Sequence, residues 1–335
     1  DAHPYAWLKA EMADVWQGFA REQMRGWLEQ AGLVNRVVDG SSQSCCAEST
    51  NPVWVDGEGR GARINVFVAT ATTRLVMRDA VQGRYAAVAK SGSACGCNPT
   101  SEADSGCCGG TSSASGSCCS GSSYEDVAIS AGYSTLELSD APEEAAQISL
   151  GCGNPLAMAN IKPGEVVLDI GSGGGLDAFL AAGRVGPTGR VIGVDMTPAM
   201  LERARASAQR NGFHNVEFRQ GYAEELPLQD GSVDVILSNC VINLAEDKGH
   251  VFAEAFRVLK PGGRLEVSDI VSSAAMPREL QADAQGWSEC ITSALPESEY
   301  LDLIRQAGFQ KVLTRRSEAV GQTGGVSVYS AIVSA

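Results

Sequence analysis

A glycine-rich turn between an apolar run and a helical one constrains this chain more than any other stretch. Val167-Leu-Asp169-Ile-Gly171-Ser172-Gly173-Gly174-Gly175 places glycines at alternate positions where a strand hands over to a helix. Glycine permits the tight turn and lets the backbone approach a ligand closely. Around it, strand and helix signals alternate. Glu165–Ile170, Arg190–Asp195, Val216–Arg219, Ser232–Ser238 and Arg264–Asp269 read as strands. Asp177–Arg184, Pro198–Asn211 and Gly249–Leu259 read as helices, the last ended by Lys260-Pro261-Gly262-Gly263. Such alternation predicts a parallel, doubly wound α/β sheet with its site at the carboxyl ends of the strands.

Asp195 stands twenty residues past Gly175, at the end of the second strand. A carboxylate there accepts both hydroxyls of a ribose. Gly221-Tyr222-Ala223-Glu224, after the third strand, is placed to hold an adenine edge. A dinucleotide loop wants G-x-G-x-x-G, whereas Leu176 and Asp177 follow Gly175 here. S-adenosylmethionine fits this pattern better than a nicotinamide dinucleotide, which stands as the alternative.

Lys plus Arg number 26 against 40 for Asp plus Glu, a formal charge of −14. Such a surface repels phosphate backbones and anionic lipid, so no nucleic acid or membrane partner is expected. No apolar run approaches the length that spans a bilayer. The start, Asp1-Ala2-His3-Pro4, carries no initiator Met and no basic segment leading into an apolar one. It is expected to be processed or truncated, without a secretory signal.

Composition also cuts the chain. Residues 91–123 are almost wholly Ser, Gly, Cys, Ala and Thr, too polar to offset chain entropy by burial. A flexible linker carrying six thiols is expected there. The expected segments are an α+β appendage at 1–74, a helix at 75–90, the linker at 91–123, the cofactor-binding domain at 124–272 and a C-terminal region at 273–335. Trp27-Leu-Glu-Gln-Ala-Gly-Leu33 with strands Val34–Val38 and Ile64–Ala69 echoes Leu303-Ile-Arg-Gln-Ala-Gly-Phe309 with Lys311–Thr314 and Val326–Val333. Both read as helix, glycine cap and antiparallel hairpin, so the appendage looks like a second copy of a terminal lobe. Convergent patterning is the alternative.

Of eleven cysteines, eight are clustered as Cys45-Cys46, Cys95-x-Cys97, Cys107-Cys108 and Cys118-Cys119. Vicinal thiols of this kind read as soft-metal or redox sites in a reducing compartment, hence a cytoplasmic location is expected. The other three, Cys152, Cys240 and Cys290, occupy unlike places: ahead of the glycine loop, after the fourth strand, and beyond the fifth. A lone cysteine is often a small apolar core residue. Three converging on one cleft point instead to a soft, thiophilic substrate held by sulfur. His3, His214 and His250 lie outside these motifs and are expected at the surface or in the core.

The Asp169/Gly171/Gly173/Asp195 pattern resembles the class I methyltransferases that use S-adenosylmethionine. Within them, Leu150-Gly-Cys152-Gly-Asn-Pro, Val194-Asp-Met196-Thr, Ser238-Asn239-Cys240-Val-Ile-Asn-Leu244 and Trp287-x-Glu-Cys290 are similar to the arsenite methyltransferases. The resemblance covers roughly residues 75–310, including Arg78-Asp-Ala-Val81-Gln-Gly-Arg-Tyr85, which looks like that family's opening helix. It implies a Rossmann-like methyltransferase sheet with a C-terminal antiparallel hairpin. It also implies As(III) bound by Cys152, Cys240 and Cys290, its lone pair attacking the sulfonium methyl, first on arsenite and then on methylarsenite. The implied cofactor set is Asp169, Gly171, Ser172, Gly173, Asp195, Met196, Ala223, Glu224 and Asn239, with glutathione or thioredoxin as thiol reductant. Two other readings stay open here: a methyltransferase of an organic small molecule with incidental cysteines, and a metalloid-sequestering binding protein.

Overall fold

The computed structural model describes residues 33–40, 54–55, 61–62, 67–92, 124–281 and 283–335. The chain divides between Val76 and Met77 into two units. In the first, β1 (Leu33–Gly40) pairs antiparallel with β4 (Phe67–Thr73), Val38 opposite Ala69. There too β2 (Trp54–Val55) pairs with β3 (Gly61–Ala62). The two strands expected in the appendage therefore form an antiparallel pair. The helix expected from Trp27, the paired cysteines Cys45 and Cys46, and the six-thiol stretch from 93 to 123 lie outside the described residues.

Seven strands carry the second unit. They are β5 (Val166–Ile170), β6 (Arg190–Asp195), β7 (Val216–Gln220), β8 (Val233–Asn239), β9 (Leu259–Ser272), β10 (Leu313–Thr323) and β11 (Val326–Ser334). Their order across the sheet is β10-β11-β9-β8-β5-β6-β7. The five strands from β7 to β9 run parallel, and β11 joins β9 antiparallel. The C-terminal antiparallel hairpin is thus the edge of the same sheet, as expected. Chain order reverses beside β5, between β6 on one side and β8 on the other. That is where an open α/β sheet leaves its ligand crevice.

Side-chain alternation along β5 explains the layering. Val167 packs with Val191, Val235, Phe179 of α5 (Leu176–Val185) and Leu201 of α6 (Pro198–Arg210). Leu168 faces the opposite layer, with Ile236, Phe252 of α7 (Lys248–Val258) and Tyr300 of α10 (Glu297–Gln306). Val167 and Leu168 are fully buried, each contributing up to roughly 1.5–3 kcal/mol. Strands buried on both faces read as continuous apolar runs, which made β5, β6 and β8 legible.

Three features differ from expectation. First, β9 begins at Leu259 instead of Arg264, because Lys260-Pro261-Gly262-Gly263 stays within the strand as an irregularity. Pro261 has no N–H to donate and Gly262 takes φ 81°, so the ladder shifts register there between Val233 and Val235. Second, β10 runs to Thr323, well past Thr314; it is an exposed edge with no apolar alternation to read. Its turn, Gly324-Gly325, has positive φ at both positions, the two-residue hairpin connection that matches strand twist. Third, short helices α2 (Tyr124–Ser130), α3 (Thr135–Asp140) and α4 (Glu143–Ala146) precede the sheet. The capping box of Ser134 with Glu137 was the signal available for α3. Among the described residues no helix is long and apolar enough to cross a membrane.

Gly175 closes the cofactor turn at φ 93°, and a Cβ there would meet Phe179 at 2.8 Å and Phe218 at 2.9 Å. Gly175→Ala adds left-handed strain to overpacking, together roughly 2–4 kcal/mol. Denaturant midpoints should fall accordingly; an unchanged midpoint would show that the two rings yield freely.

Candidate functional site

Two abutting hollows open at the carboxyl ends of β5, β6 and β8. One of about 690 Å³ is lined by Asp195, Met196, Tyr222, Ala223 and Glu224. The other, about 480 Å³, is lined by Asp169, Ser172, Gly173, Asp177 and Asn239. Tyr85, Gly171 and Val241 line both, which makes them one cleft. Every residue expected to hold a cofactor lies on its walls.

The chemistry of those walls suits a cationic ligand. Asp195 accepts hydrogen bonds from the Thr197 amide at 2.7 Å and the Gly173 amide at 2.9 Å. Burial still holds its carboxyl above the usual range. Asp169 is buried, and its Oδ2 has no hydrogen-bond partner. Burial, then the nearby charges of Asp177 and Asp195, push Asp169 well up. Burial pushes Asp177 up to about 6 against the hydrogen bonds from Tyr133 and Asn239. Three crowded carboxyls with an orphaned oxygen call for positive charge. S-adenosylmethionine carries an ammonium and a sulfonium, so the donor set fits it. A Cβ on Gly173, at φ 50°, would meet nothing within 4 Å, so the backbone there faces open space in the cleft.

Asn239 also has work inside the protein. It lines the cleft, but its amide is engaged within the protein. Its nitrogen donates to Tyr133 Oη at 2.9 Å, Gly153 O at 2.7 Å and Asp177 Oδ2 at 3.1 Å, and its oxygen accepts from the Cys152 amide at 3.0 Å. It therefore ties the Cys152 segment to the cofactor turn.

The helix α1 (Arg74–Ser91) walls the cleft from its far side. Gln82 Nε2 donates to Met196 O at 2.9 Å; Arg78 lies 3.5 Å from Glu224 and stacks 4.5 Å over the Tyr222 ring. Arg78, Val81, Gln82 and Tyr85 follow helical i, i+3, i+4, i+7 spacing. That spacing was the signal for residues the sequence reading quoted only as part of a helix.

The three lone cysteines come together beside this cleft. Cys240 follows β8 and Cys290 follows α9 (Ala284–Ser288). Both take left-handed backbone conformations, φ 59° and 63°. For a residue with a Cβ this costs roughly 1–2 kcal/mol, and such residues gather at functional sites. The fold pins them there: the Cys240 amide donates to Ser268 O at 2.7 Å, and the Cys290 thiol donates to Cys240 O at 3.2 Å. Cys152 is fixed by Asn239 and by Ser330 Oγ, which donates to Cys152 O at 2.7 Å. All three thiols are free, within an apolar shell that includes Ile270, Met276 and Val328.

Hydrogen bonding with the Cys152 and Cys290 sulfurs, then burial, pushes the Cys240 thiol well up. For Cys290 the hydrogen bond with Cys240 pulls down, but burial and the charges of Asp269 and Cys152 outweigh it. Two charged neighbours were not foreseen. Asp269 is buried and accepts from the Asn243 and Ile270 amides, both at 2.9 Å, and from Tyr300 Oη at 3.0 Å. Burial holds it at about 6. Lys248 is buried, donates to Ala245 O at 2.9 Å and sits 5.1 Å over the Trp287 ring; burial brings it down to about 8. His214 and His250 are exposed, as expected of residues outside the site.

Known proteins share this chain's sequence pattern and fold. A family model described as a methyltransferase domain matches residues 161–308. The arsenite methyltransferase of Halobacterium salinarum is 44% identical over 238 residues, covering 70% of this chain and 58% of that protein. The arsenite methyltransferase of Homo sapiens is 38% identical, covering 51% of this chain and 48% of its own length. The chain thus spans about half to three-fifths of these curated relatives. The crystal structure of an arsenic(III) S-adenosylmethionine methyltransferase from Chlamydomonas reinhardtii superimposes with a TM-score of 0.54 at 37% identity, over 59% of this chain and 71% of that one. With that coverage and the glycine turn, acidic cleft and methyltransferase sheet in place, the chain belongs to the arsenite S-adenosylmethionine methyltransferase family.

Proposed function

We propose that this chain methylates trivalent arsenic, arsenite first and methylarsenite next, with Cys152, Cys240 and Cys290 as the arsenic ligands. The observation that carries this reading is the convergence of three sequence-distant free thiols beside a cleft fitted to a cationic cofactor. Arsenite enters by exchange: each Cys–SH replaces one As–OH, its proton leaving with that hydroxide as water. Raised thiol pKa values suit this step, because the neutral thiol brings the proton that hydroxide needs. Three sulfurs in a pyramid leave one arsenic lone pair exposed. Bound S-adenosylmethionine supplies an electrophilic methyl group to that lone pair.

The residues of the chain do the positioning, the largest share of such a rate enhancement. Asp169 and Asp177 balance the cofactor's positive charge, Asp195 holds its ribose, and Ala223 and Glu224 border the adenine side. Tyr85, half-buried where the two hollows meet, screens the site from water. Methylation releases S-adenosylhomocysteine and raises arsenic to the pentavalent state, so two thiols, from two glutathiones or one thioredoxin, become a disulfide and return two electrons before the next round. The role is arsenic detoxification in a reducing cytoplasm. Residues 1–74 supply no chemistry, and the thiols of 91–123 gather arsenic for the site.

Methyl transfer should require As(III) and be absent with organic acceptors alone; turnover without arsenic would overturn the reading. The two methylation steps should also separate. Methylarsenite already has one carbon bond and needs only two sulfurs, and Cys152 is the least buried of the three. Cys152→Ser should slow the arsenite step by about 10²-fold or more, but the methylarsenite step far less. Equal losses on both substrates, measured by product chromatography, would contradict this division.

A further inference from the structure

We propose that the thiol cluster is also a binding site for thiophilic d¹⁰ dications, Cd²⁺ foremost and Zn²⁺ with it, with Asp269 as an oxygen ligand that arsenic does not use. The inference rests on the three-thiol reading above and goes beyond it.

The ligand atoms of Cys152, Cys240 and Asp269 all lie within 4.8 Å of one another. Cys290 adds a third sulfur from the same buried cluster, its thiol donating to Cys240 O at 3.2 Å. A tetrahedral ion with sulfur at about 2.3 Å and oxygen at about 2.1 Å sets its ligands roughly 3.5–3.8 Å apart. The atoms of Cys152, Cys240 and Asp269 therefore need to close by about an ångström, a side-chain adjustment.

The two kinds of guest use the cluster differently. Trivalent arsenic makes three bonds, and its lone pair fills the fourth direction, so a carboxylate has no bond to make there. A d¹⁰ dication has no such pair and takes four ligands. Asp269 is prepared for that role. It is fully buried, and the Asn243 and Ile270 amides and the Tyr300 hydroxyl fix its orientation. Backing of this kind is what supports a ligating carboxylate. Three thiolates and a carboxylate around a dication leave two negative charges. The Lys248 ammonium, buried over the Trp287 ring, offsets one of them.

Binding is ligand exchange without redox change: thiol protons leave to solvent and metal–sulfur bonds form. Having no lone pair to methylate, the dication occupies the site without reacting, and arsenite is kept out.

The test uses the full chain with Cys45, Cys46, Cys95, Cys97, Cys107, Cys108, Cys118 and Cys119 replaced by Ser, leaving only the three site cysteines. Cd²⁺ is titrated by its thiolate charge-transfer absorption and by ¹¹³Cd NMR, with arsenite affinity measured in parallel. We expect one Cd²⁺ per chain, competition with arsenite, and reversal by a chelator. Asp269→Asn should weaken Cd²⁺ at least about tenfold while arsenite affinity changes less than about threefold, and Asp269→Cys should tighten Cd²⁺. Retained arsenite affinity certifies an intact cluster, and if Asp269→Asn does not fold, the Asp269→Cys arm decides. Equal losses of Cd²⁺ and arsenite affinity in Asp269→Asn would assign Asp269 a structural role and overturn the proposal. Unchanged Cd²⁺ affinity in both variants would do the same. Normal arsenite binding with no stoichiometric Cd²⁺ would sink the dication site alone. Failure of arsenite to bind the three cysteines would sink the thiolate reading with it.

Discussion

Cys240→Ser and Cys290→Ser each abolish arsenite methylation while S-adenosylmethionine binding stays near wild type: that is the expected result with the largest effect. Serine keeps the shape of the site, and the left-handed backbone at both positions is equally uncomfortable for either residue. What changes is the donor. A hydroxyl is hard and poorly acidic, and does not replace sulfur on As(III). With one of three bonds lost, the lone pair is no longer aimed, and misplacement alone costs about 10²-fold or more. The residues proposed to hold the cofactor are others, Asp169, Gly171, Gly173 and Asp195 on the walls of the cleft. Product chromatography and calorimetric titration of S-adenosylhomocysteine read the two halves separately. Full activity in either single variant would remove the three-sulfur site from consideration.

The converse phenotype belongs to Asp195. Its carboxylate accepts the Gly173 and Thr197 amides and faces the larger hollow, where a ribose would place two hydroxyls. Charge-assisted hydrogen bonds contribute about 1.5–3 kcal/mol each, and the two amides would lose their acceptor as well. Asp195→Ala should therefore weaken cofactor binding by about 10²–10³-fold. Arsenite binding, followed by its thiolate absorption, should persist, because no cysteine touches Asp195 by hydrogen bond among the described residues. Loss of both ligands together would mean that Asp195 mainly supports the fold. Asp195→Asn, which keeps one acceptor oxygen, should fall between wild type and alanine.

The parts of this site that were legible in the sequence are those where one residue type answers one physical demand. The glycine turn and the strand-end Asp195 stand on the cleft walls, and the three lone cysteines, singled out because soft ligation as proposed needs sulfur, lie together beside it. Continuous apolar runs gave β5, β6 and β8 for the same reason: both of their faces are buried. What was not legible depends on contacts between distant segments. Asn239 sits among the cofactor candidates by position, yet its amide spans Gly153, Cys152, Asp177 and Tyr133, and no local pattern announces such a network. Asp269 and Lys248 read as an ordinary strand end and an ordinary helix start. Their chemistry arises only because folding buries them beside the thiols. The exposed strand β10 escaped because an edge facing solvent has no apolar side to display.

The left-handed backbone at Cys240 and Cys290 sets a trap for anyone engineering this enzyme. Glycine, or asparagine, is at ease at such φ values and cysteine is not. A library ranked by thermal tolerance would enrich substitutions at these two positions, each gaining on the order of 1 kcal/mol. Its winners would be sturdier proteins with no arsenic chemistry. Selection for heat resistance must therefore be coupled to selection on arsenic, because the backbone favours residues without the thiols proposed to hold the substrate.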